Sequence, residues 1–208
     1  MKVAVIGATG NAGSRITTEL LKRGHHVPTV FRSLDKNLLT AGLEVASSDL
    51  SYVAQLVKAL KGADAVVSAY RPPDDDTDQI VGTTKRITDA VKVNKQRLLV
   101  VGGAVGLFVA PSVTVIASGH LPEPALPIAK SHEQVYKDLK VSGADWTYFA
   151  PTGLFEPGEN PGKFRLGKDD LIMDASGNSR ISMEDYAIAT LDELEKSQHR
   201  GERFNLGD

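Results

Sequence analysis

A glycine-rich segment near the amino terminus constrains the fold more than any other feature of this sequence. The apolar run Val3–Ile6 is typical of a short buried strand, and it leads directly into GATGNAG at residues 7–13. A helical spacing of apolar side chains follows over residues 11–23, and Gly24 fits the end of that helix. The order of strand, glycine-rich turn and helix predicts a βα unit with a phosphate-binding turn.

Each glycine of the turn has a distinct predicted role. Gly7 permits the tight turn, Gly10 lets backbone amides approach a pyrophosphate, and Gly13 lets helix and strand pack closely. The free amides and the dipole of the helix amino terminus would then hold the negative charge. The alternative is an ordinary glycine-rich βα turn with no ligand, because such a motif alone is a weak signal.

Strand-like and helix-like segments alternate through the rest of the chain. This alternation predicts an α/β fold, a Rossmann-like doubly wound parallel sheet in three layers, α/β/α. Two segments are predicted to be loops: residues 107–127, which contain four prolines, and residues 151–162. Strands are predicted at 27–31, 43–46, 65–69, 98–101, 146–150 and 204–206, and helices at 52–60, 78–92, 129–140 and, after Ser182 as N-cap candidate, 183–195.

Length and composition place the chain among ordinary globular proteins and exclude several kinds of site. We expect a single domain over residues 1–208, with residues 151–208 as an elaboration that covers the ligand crevice. A net charge of −2 argues against a nucleic-acid partner, and no apolar run is long enough to span a membrane. The absence of cysteine excludes disulfides and thiolate ligands, and the five histidines lack metal-ligand spacing. A cytoplasmic location is expected, and the oligomeric state is left open.

The cofactor type is indicated at the end of the second predicted strand. An NAD-binding protein would carry an acidic residue there for the ribose hydroxyls, whereas this sequence has Arg32. An arginine can pair with a 2′-phosphate through two hydrogen bonds, so the sequence favours NADP, with NAD as a possibility. A solvated surface arginine is the alternative. Asp49 and Leu50 follow the third predicted strand, where they could contact adenine or start a helix.

The sequence resembles the atypical short-chain dehydrogenase/reductase-like proteins, and among them the NAD(P)H–flavin reductase family, with biliverdin reductase B-like and NmrA-like relatives. The resemblance covers essentially the whole chain. Besides the features above, it rests on VVGGA at 100–104, SGADWT at 142–147, FEPG at 155–158 and ISMEDYA at 181–187. It implies that a nicotinamide dinucleotide lies over the carboxyl ends of the strands.

Carried over by position, the resemblance implies a set of cofactor contacts. The pyrophosphate would be held by Gly7, Thr9, Gly10, Asn11, Ala12 and Gly13. Arg32 would read the adenosine ribose and its phosphate, and Asp49 and Leu50 would flank adenine. The nicotinamide end would be bordered by Ser68, Ala69, Tyr70, Gly102, Gly103, Pro151 and Thr152.

Acid–base residues are where this sequence departs from its relatives. Many relatives have a serine shortly after the stretch at 102–104, whereas this chain has Val105 and Gly106. A Tyr-x-x-x-Lys pair occurs as Tyr136 and Lys140, but it lies at the end of a predicted helix, far from the strand ends.

Two other residues of the same helix are therefore the candidate catalytic residues. Lys130 is the better match for the family lysine, although Leu126 stands where its tyrosine would be. His132 could act as a proton source at the rim of the pocket, because a histidine titrates near neutral pH. The alternative is a surface histidine in the first helical turn.

Three functions remain compatible with these residues. The first is an NAD(P)H-dependent reductase that transfers hydride to a flavin- or quinone-like acceptor, chemistry that the cofactor carries with little help from side chains. Its acceptor would be walled by Leu107, Phe108, Leu154 and Phe155. The second is a non-catalytic redox sensor of NmrA type, read by a partner protein. The third is a sugar-nucleotide epimerase or dehydratase, which would depend on the Tyr–Lys pair.

Overall fold

The computed structural model describes residues 1–31, 44–47, 49–159 and 162–208. The strands are β1 (Val3–Ile6), β2 (Pro28–Phe31), β3 (Glu44–Ser47), β4 (Ala65–Ser68), β5 (Arg97–Val101), β6 (Phe108–Ala110), β7 (Val113–Thr114), β8 (Asp145–Ala150), β9 (Leu154–Glu156), β10 (Arg165–Gly167), β11 (Arg180–Ser182) and β12 (Glu202–Gly207). The helices are α1 (Asn11–Lys22), α2 (Val53–Leu60), α3 (Gln79–Asn94), α4 (Leu126–Val141) and α5 (Met183–Lys196).

One eight-stranded sheet forms the centre of the molecule, in the order β10-β12-β8-β5-β4-β1-β2-β3. All neighbouring strands in it are parallel except β10, which runs antiparallel to β12. β1 lies at the point where the strand order reverses, because it pairs with β2 on one side and β4 on the other. In such sheets, ligands bind beyond the carboxyl ends of the strands at that point. The predicted Rossmann-like α/β fold is confirmed.

The helices cover both faces of the sheet, and each face has its own apolar core. On one face α2, α3 and α4 pack through side chains such as Leu56, Ile87 and Leu139. On the other face α1 packs beside α5 through side chains such as Ile16 and Leu194. Full burial of each such side chain stabilises the fold by about 1.5–3 kcal/mol. The helical spacing read from the sequence therefore marks the buried faces of these helices.

The predicted loop over residues 107–127 contains more structure than expected. β6 and β7 form an antiparallel hairpin whose turn contains Pro111 and Ser112, and Ser112 has a φ of +63°. A proline in this turn costs no ladder hydrogen bond, so Pro111, one of the four prolines that argued against a helix, is compatible with the hairpin. α4 starts at Leu126, earlier than expected, because Pro127 falls in its first turn, where a missing amide N–H is tolerated.

The region after residue 151 also departs from the expected loop. β9 pairs in parallel with β11, and β10 extends the main sheet at its edge. These strands have three residues each, too few to show a reliable alternation of apolar and polar side chains. Their pairing depends on distant segments, and the sequence gives no local signal for it. No helix in the described residues is long and apolar enough to cross a membrane.

Candidate functional site

The glycine-rich turn between β1 and α1 has the backbone geometry that its sequence predicts. Gly7 follows β1 directly and has a φ of +83°, a conformation that is strained for residues with a side chain. The N–H of Gly10 donates to the carbonyl oxygen of Gly7 at 3.0 Å and closes the turn. Gly10 then adopts an extended conformation as the residue before α1.

Two glycines allow backbone segments to pack closer than any side chain would permit. A Cβ on Gly7 would lie 2.5 Å from the carbonyl oxygen of Ala69, just after β4. A Cβ on Gly13 would overlap the carbonyl oxygen of Gly7, at well under 3.0 Å. The turn therefore lies directly against the end of β4, with α1 held tightly beneath it.

The amino terminus of α1 is suited to a phosphate group. Its N-cap residue, Gly10, offers no side-chain acceptor, and its first turn contains no acidic residue. The first amides of a helix have no acceptor within the helix, and the helix dipole adds partial positive charge. Thr9 and Asn11 are exposed beside these amides. The residues present therefore fit the pyrophosphate of a dinucleotide.

A cleft of about 220 Å³ leads from this turn to α4. Its described lining has apolar side chains and backbone from several elements, and Arg71 is its only charged residue. A narrow apolar cleft that continues from a phosphate-binding turn can hold a flat ring system next to the phosphates. The described lining comprises Gly10, Asn11, Ala12, Ala69, Tyr70, Arg71, Pro72, Val101, Gly102, Ile128, His132, Phe155 and Met183.

His132 lines the cleft from α4. Its Nδ1 is 3.3 Å from the hydroxyl of Tyr148, and its ring packs against Gly103. Burial, together with the positive charge of Arg71, lowers the pKa of His132 to about 4. A pKa this low would leave His132 without the titration near neutral pH that the sequence predicted, because desolvation penalises the charged imidazolium. The sequence predicted this histidine at the rim of the pocket, and the structure places it in the lining of the cleft.

The backbone of Gly102 and Gly103 is fitted around these two side chains. The N–H of Gly103 donates to the Tyr148 hydroxyl at 2.9 Å. A Cβ on Gly102 would overlap the Tyr148 ring, at well under 3.0 Å. Gly102 lines the cleft from the end of β5, so the absence of a side chain serves both the cleft and the packing of Tyr148.

The predicted adenine end is only partly described. Arg32 lies outside the described residues, so its predicted contact with a 2′-phosphate stays a prediction. Asp49 is exposed and accepts the N–H of Ser51 at 2.8 Å, which stabilises a local turn ahead of α2. Leu50 is buried in the core, and its carbonyl oxygen accepts a hydrogen bond from Arg86. Ser68 is buried at the end of β4.

Several predicted site residues do not lie in the lining of the cleft. Lys130 is exposed in a separate surface concavity, with Asp78 and Glu123. Pro151 and Thr152 are buried, and the Thr152 hydroxyl bonds to the carbonyl oxygen of Ile172.

Of the residues predicted to wall the acceptor, some lie outside the cleft and one lines it. Leu107 is fully buried in the core, whereas Phe155 does line the cleft. The site therefore draws less on the loop at 107–127 than the sequence predicted.

The Tyr-x-x-x-Lys pair has a packing role in this fold. The Tyr136 ring contacts the rings of Trp146 and Tyr148, and the Arg203 guanidinium lies 4.6 Å from its centre. Lys140 is 5.7 Å from the same ring centre. Neither Tyr136 nor Lys140 lines the cleft, which agrees with the interpretation that both belong to an ordinary amphipathic helix.

Two further features bear on where a ligand binds. A larger concavity of about 350 Å³ lies between α3 and α4, but it is formed by the outer surfaces of the helices, away from the strand ends. No cluster of three or more potential metal ligands occurs among the described residues. The cleft at the glycine-rich turn is therefore the candidate site.

Comparison with known families identifies the chain. A family model described as NAD(P)H-binding matches residues 7–194. The chain belongs to this NAD(P)H-binding family. The match begins at the first glycine of the turn and ends near the end of α5, so it includes all of the described lining of the cleft.

Similar proteins and solved structures match this chain over nearly its whole length. "Uncharacterized protein YwnB" of Bacillus subtilis (strain 168) is 36% identical over 211 residues, which are 99% of this chain and 98% of YwnB. A solved structure from Bacteroides thetaiotaomicron, described as a putative epimerase, is 41% identical with a TM-score of 0.91, covering 99% of this chain and 96% of that one. A Streptococcus pneumoniae TIGR4 structure, described as a putative NADH-flavin reductase, is 32% identical with a TM-score of 0.90, covering 100% and 99%.

Sequence reasoning missed six residues that the structure brings to the cleft. Five of them line it, and Tyr148 contacts the lining residue His132; the five are Arg71, Pro72, Val101, Ile128 and Met183. Arg71 directly follows the predicted contact Tyr70, so its position just after β4 could have indicated a place at the site. No local sequence pattern indicated the role of Tyr148, because its partners His132 and Gly103 are 16 and 45 residues away in the chain.

Proposed function

We propose that this chain is an NAD(P)H-dependent oxidoreductase that transfers hydride to a flavin- or quinone-like acceptor. The observation that carries the proposal is the cleft, which continues from a phosphate-binding turn into a space bordered partly by apolar side chains. Ile128, Phe155 and Met183 form those walls, and such side chains suit a flat, weakly polar ring system. The similarity to a structure described as a putative NADH-flavin reductase supports the same chemistry.

The chain's own residues bind and orient in this proposal. The amides of the turn hold the pyrophosphate, and the ends of β4 and β5 border the space for the nicotinamide. When bound, the reduced cofactor supplies the hydride. The acceptor needs one proton in addition, which reaches a flavin or quinone from solvent. With its pKa lowered to about 4, the His132 imidazole is not a charged acid at neutral pH, and in this proposal the lining residues contribute position and exclusion of water.

A non-catalytic redox sensor is the second candidate, and one specific observation favours it. The His132 imidazole is neutral at physiological pH and Lys130 lies outside the cleft, so neither predicted catalytic residue is an evident proton donor there. A protein that only binds the dinucleotide needs none. An epimerase ranks third, because the Tyr136–Lys140 pair on which it would depend is packed away from the cleft.

Ligand titration followed by turnover distinguishes these candidates. The first measurement is fluorescence titration with NADPH and with NADH, for the wild type and for Arg32→Ala. We expect tighter binding of NADPH and loss of that preference in the variant, because Arg32 would pair with the 2′-phosphate. Arg200→Ala is the matched control, since Arg200 is exposed and pairs with Asp145 at the start of β8.

Turnover with FMN, FAD and a quinone completes the test. Saturable oxidation of NADPH by one of them supports the reductase. Tight dinucleotide binding without reduction of any acceptor would favour the sensor. Failure to bind either dinucleotide would overturn both readings.

A further inference from the structure

Tyr148 is a buried side chain at the cleft with no role in the proposed chemistry. It is 1% exposed on β8, and its ring passes beneath Gly102 toward α4. Its hydroxyl contacts two groups of the site, the amide of Gly103 and the imidazole of His132. A tyrosine that joins the end of β5 to α4 in this way can control the state of His132.

The hydroxyl of Tyr148 is both an acceptor and a donor. It accepts the Gly103 N–H at 2.9 Å, which uses one of its lone pairs. Burial raises the pKa of Tyr148 above its usual range, so the phenol keeps its proton. A buried hydroxyl proton needs an acceptor, because leaving it unpaired costs about 1–3 kcal/mol.

Two acceptors lie within reach, and both belong to His132. Nδ1 is at 3.3 Å, and the backbone carbonyl oxygen is at 3.5 Å. That carbonyl lies inside α4, where it already accepts the amide four residues later. The ring nitrogen is the nearer acceptor and has no other described donor. The shorter contact therefore assigns the Tyr148 proton to Nδ1, which must itself carry none.

We propose that Tyr148 is a positioning residue: held by the Gly103 N–H, it donates to His132 Nδ1 and fixes His132 as the neutral tautomer with its proton on Nε2. Among the described residues Nε2 has no hydrogen-bond partner, and the His132 side chain lines the cleft. The Nε2–H is then a fixed donor for a bound ligand. This uses a neutral imidazole as a hydrogen-bond donor, in place of the imidazolium acid that the sequence suggested.

The donor selects a class of acceptor. A fixed N–H favours a ring that presents a carbonyl oxygen or an unprotonated ring nitrogen, as oxidised flavins and quinones do. It stabilises negative charge that develops on that atom when hydride arrives at the ring. This part of the inference rests on the proposed function, whereas the tautomer itself does not.

The tautomer is measured first, on the full-length wild type without any acceptor. A long-range ¹H–¹⁵N NMR spectrum near pH 7 distinguishes the protonated from the unprotonated ring nitrogen, and His132→Gln assigns the signals. We expect a proton on Nε2 and a hydrogen-bonded, unprotonated Nδ1. A proton on Nδ1, or a charged ring, would overturn the proposal whatever the protein turns out to catalyse.

Tyr148→Phe then tests the role in turnover. It removes the hydroxyl and keeps the ring, and we expect the Nδ1 signal to move and kcat with the best acceptor to fall about tenfold. The dissociation constant for the dinucleotide should change little. Tyr136→Phe is the matched control, because it removes a hydroxyl from the adjacent ring without touching His132. An unchanged Nδ1 signal in Tyr148→Phe, or an equal fall of kcat in both variants, would count against the proposal.

The measurements separate failure of this inference from failure of the proposed function. If no acceptor is reduced but the Nε2 proton is found, the reductase fails and the positioning of His132 by Tyr148 stands. If an acceptor is reduced but Nδ1 carries the proton, the reductase stands and the positioning role is wrong.

Discussion

The two ends of the cleft are built from different parts of the polypeptide. At the phosphate-binding end the backbone supplies the contacts, because Gly7, Gly10 and Gly13 bring amides and carbonyls to fixed positions. At the far end side chains supply them, with His132 and Tyr148 reaching the site from α4 and β8. The turn therefore has almost no room for an added atom at Gly7 or Gly13, whereas the far end of the cleft depends on how side chains from distant segments pack.

Gly13→Ala is expected to have the largest effect, and it acts on the backbone end. The new Cβ would overlap the carbonyl oxygen of Gly7, so α1 must move away from the turn. We expect a loss of stability of about 3 kcal/mol, measured by urea unfolding, and at least a tenfold weaker dinucleotide affinity. Gly82→Ala in α3 is the control, because its Cβ would meet only the flexible end of Arg86. Wild-type affinity in Gly13→Ala would show that close packing is not required.

Gly102→Ala tests the effect of an added Cβ at the far end of the cleft, where side chains supply the contacts. Its Cβ would overlap the Tyr148 ring, and overpacking of this kind costs about 1–3 kcal/mol. We expect the acceptor reaction to be impaired more than dinucleotide binding. Adding Tyr148→Leu to Gly102→Ala removes the clash, so the stability losses of the two substitutions should be less than additive. Additive losses would mean that Gly102 and Tyr148 do not constrain each other.

The same difference explains how much of the site the sequence predicts. The phosphate-binding turn lies within seven consecutive residues, and Gly10 and Gly13 both act on Gly7 within it, so its pattern is readable although the approach of Gly7 to Ala69 is not local. The order of strands and helices is readable for the same reason, because apolar periodicity is local. The contact of Tyr148 with Gly103 depends on the pairing of β5 with β8. Such a contact, like the three-residue strands β9 and β11, is decided by tertiary packing alone.

The pH dependence of stability should distinguish His132 from an ordinary surface histidine. Burial lowers its pKa from a usual value near 6.5 to about 4. Above pH 6.5 both the folded and the unfolded state are neutral, so the group contributes nothing there. As the pH falls from 6.5 towards 4, the unfolded state binds a proton that the folded state does not, and stability is lost, by up to about 2–3 kcal/mol.

Urea unfolding of the wild type and His132→Gln at several pH values measures this contribution. We expect the variant to lose less stability than the wild type over that interval. We also expect no ionisation of His132 in the turnover profile between about pH 6 and 8. Parallel stability curves for the two proteins would show that His132 is protonated as readily in the folded state as in the unfolded chain.

The smallest effect is expected for Glu184→Gln, because Glu184 connects α1 to the segment that follows the cleft wall. Glu184 lies in the first turn of α5, pairs with Arg15 of α1, and accepts the N–H of Gly158 at 2.8 Å. Glu184→Gln keeps the shape of the side chain and removes its charge, so stability should fall by only about 1 kcal/mol, as for a partly exposed pair. Because Gly158 follows the cleft wall at Phe155, KM for the acceptor should rise a few-fold while dinucleotide affinity is retained. Asp89→Asn, in an exposed pair with Lys85, is the control and should change neither value. An equal loss of affinity for dinucleotide and acceptor would mean that Glu184 acts through α1, and that the two ends of the cleft are less independent than their construction indicates.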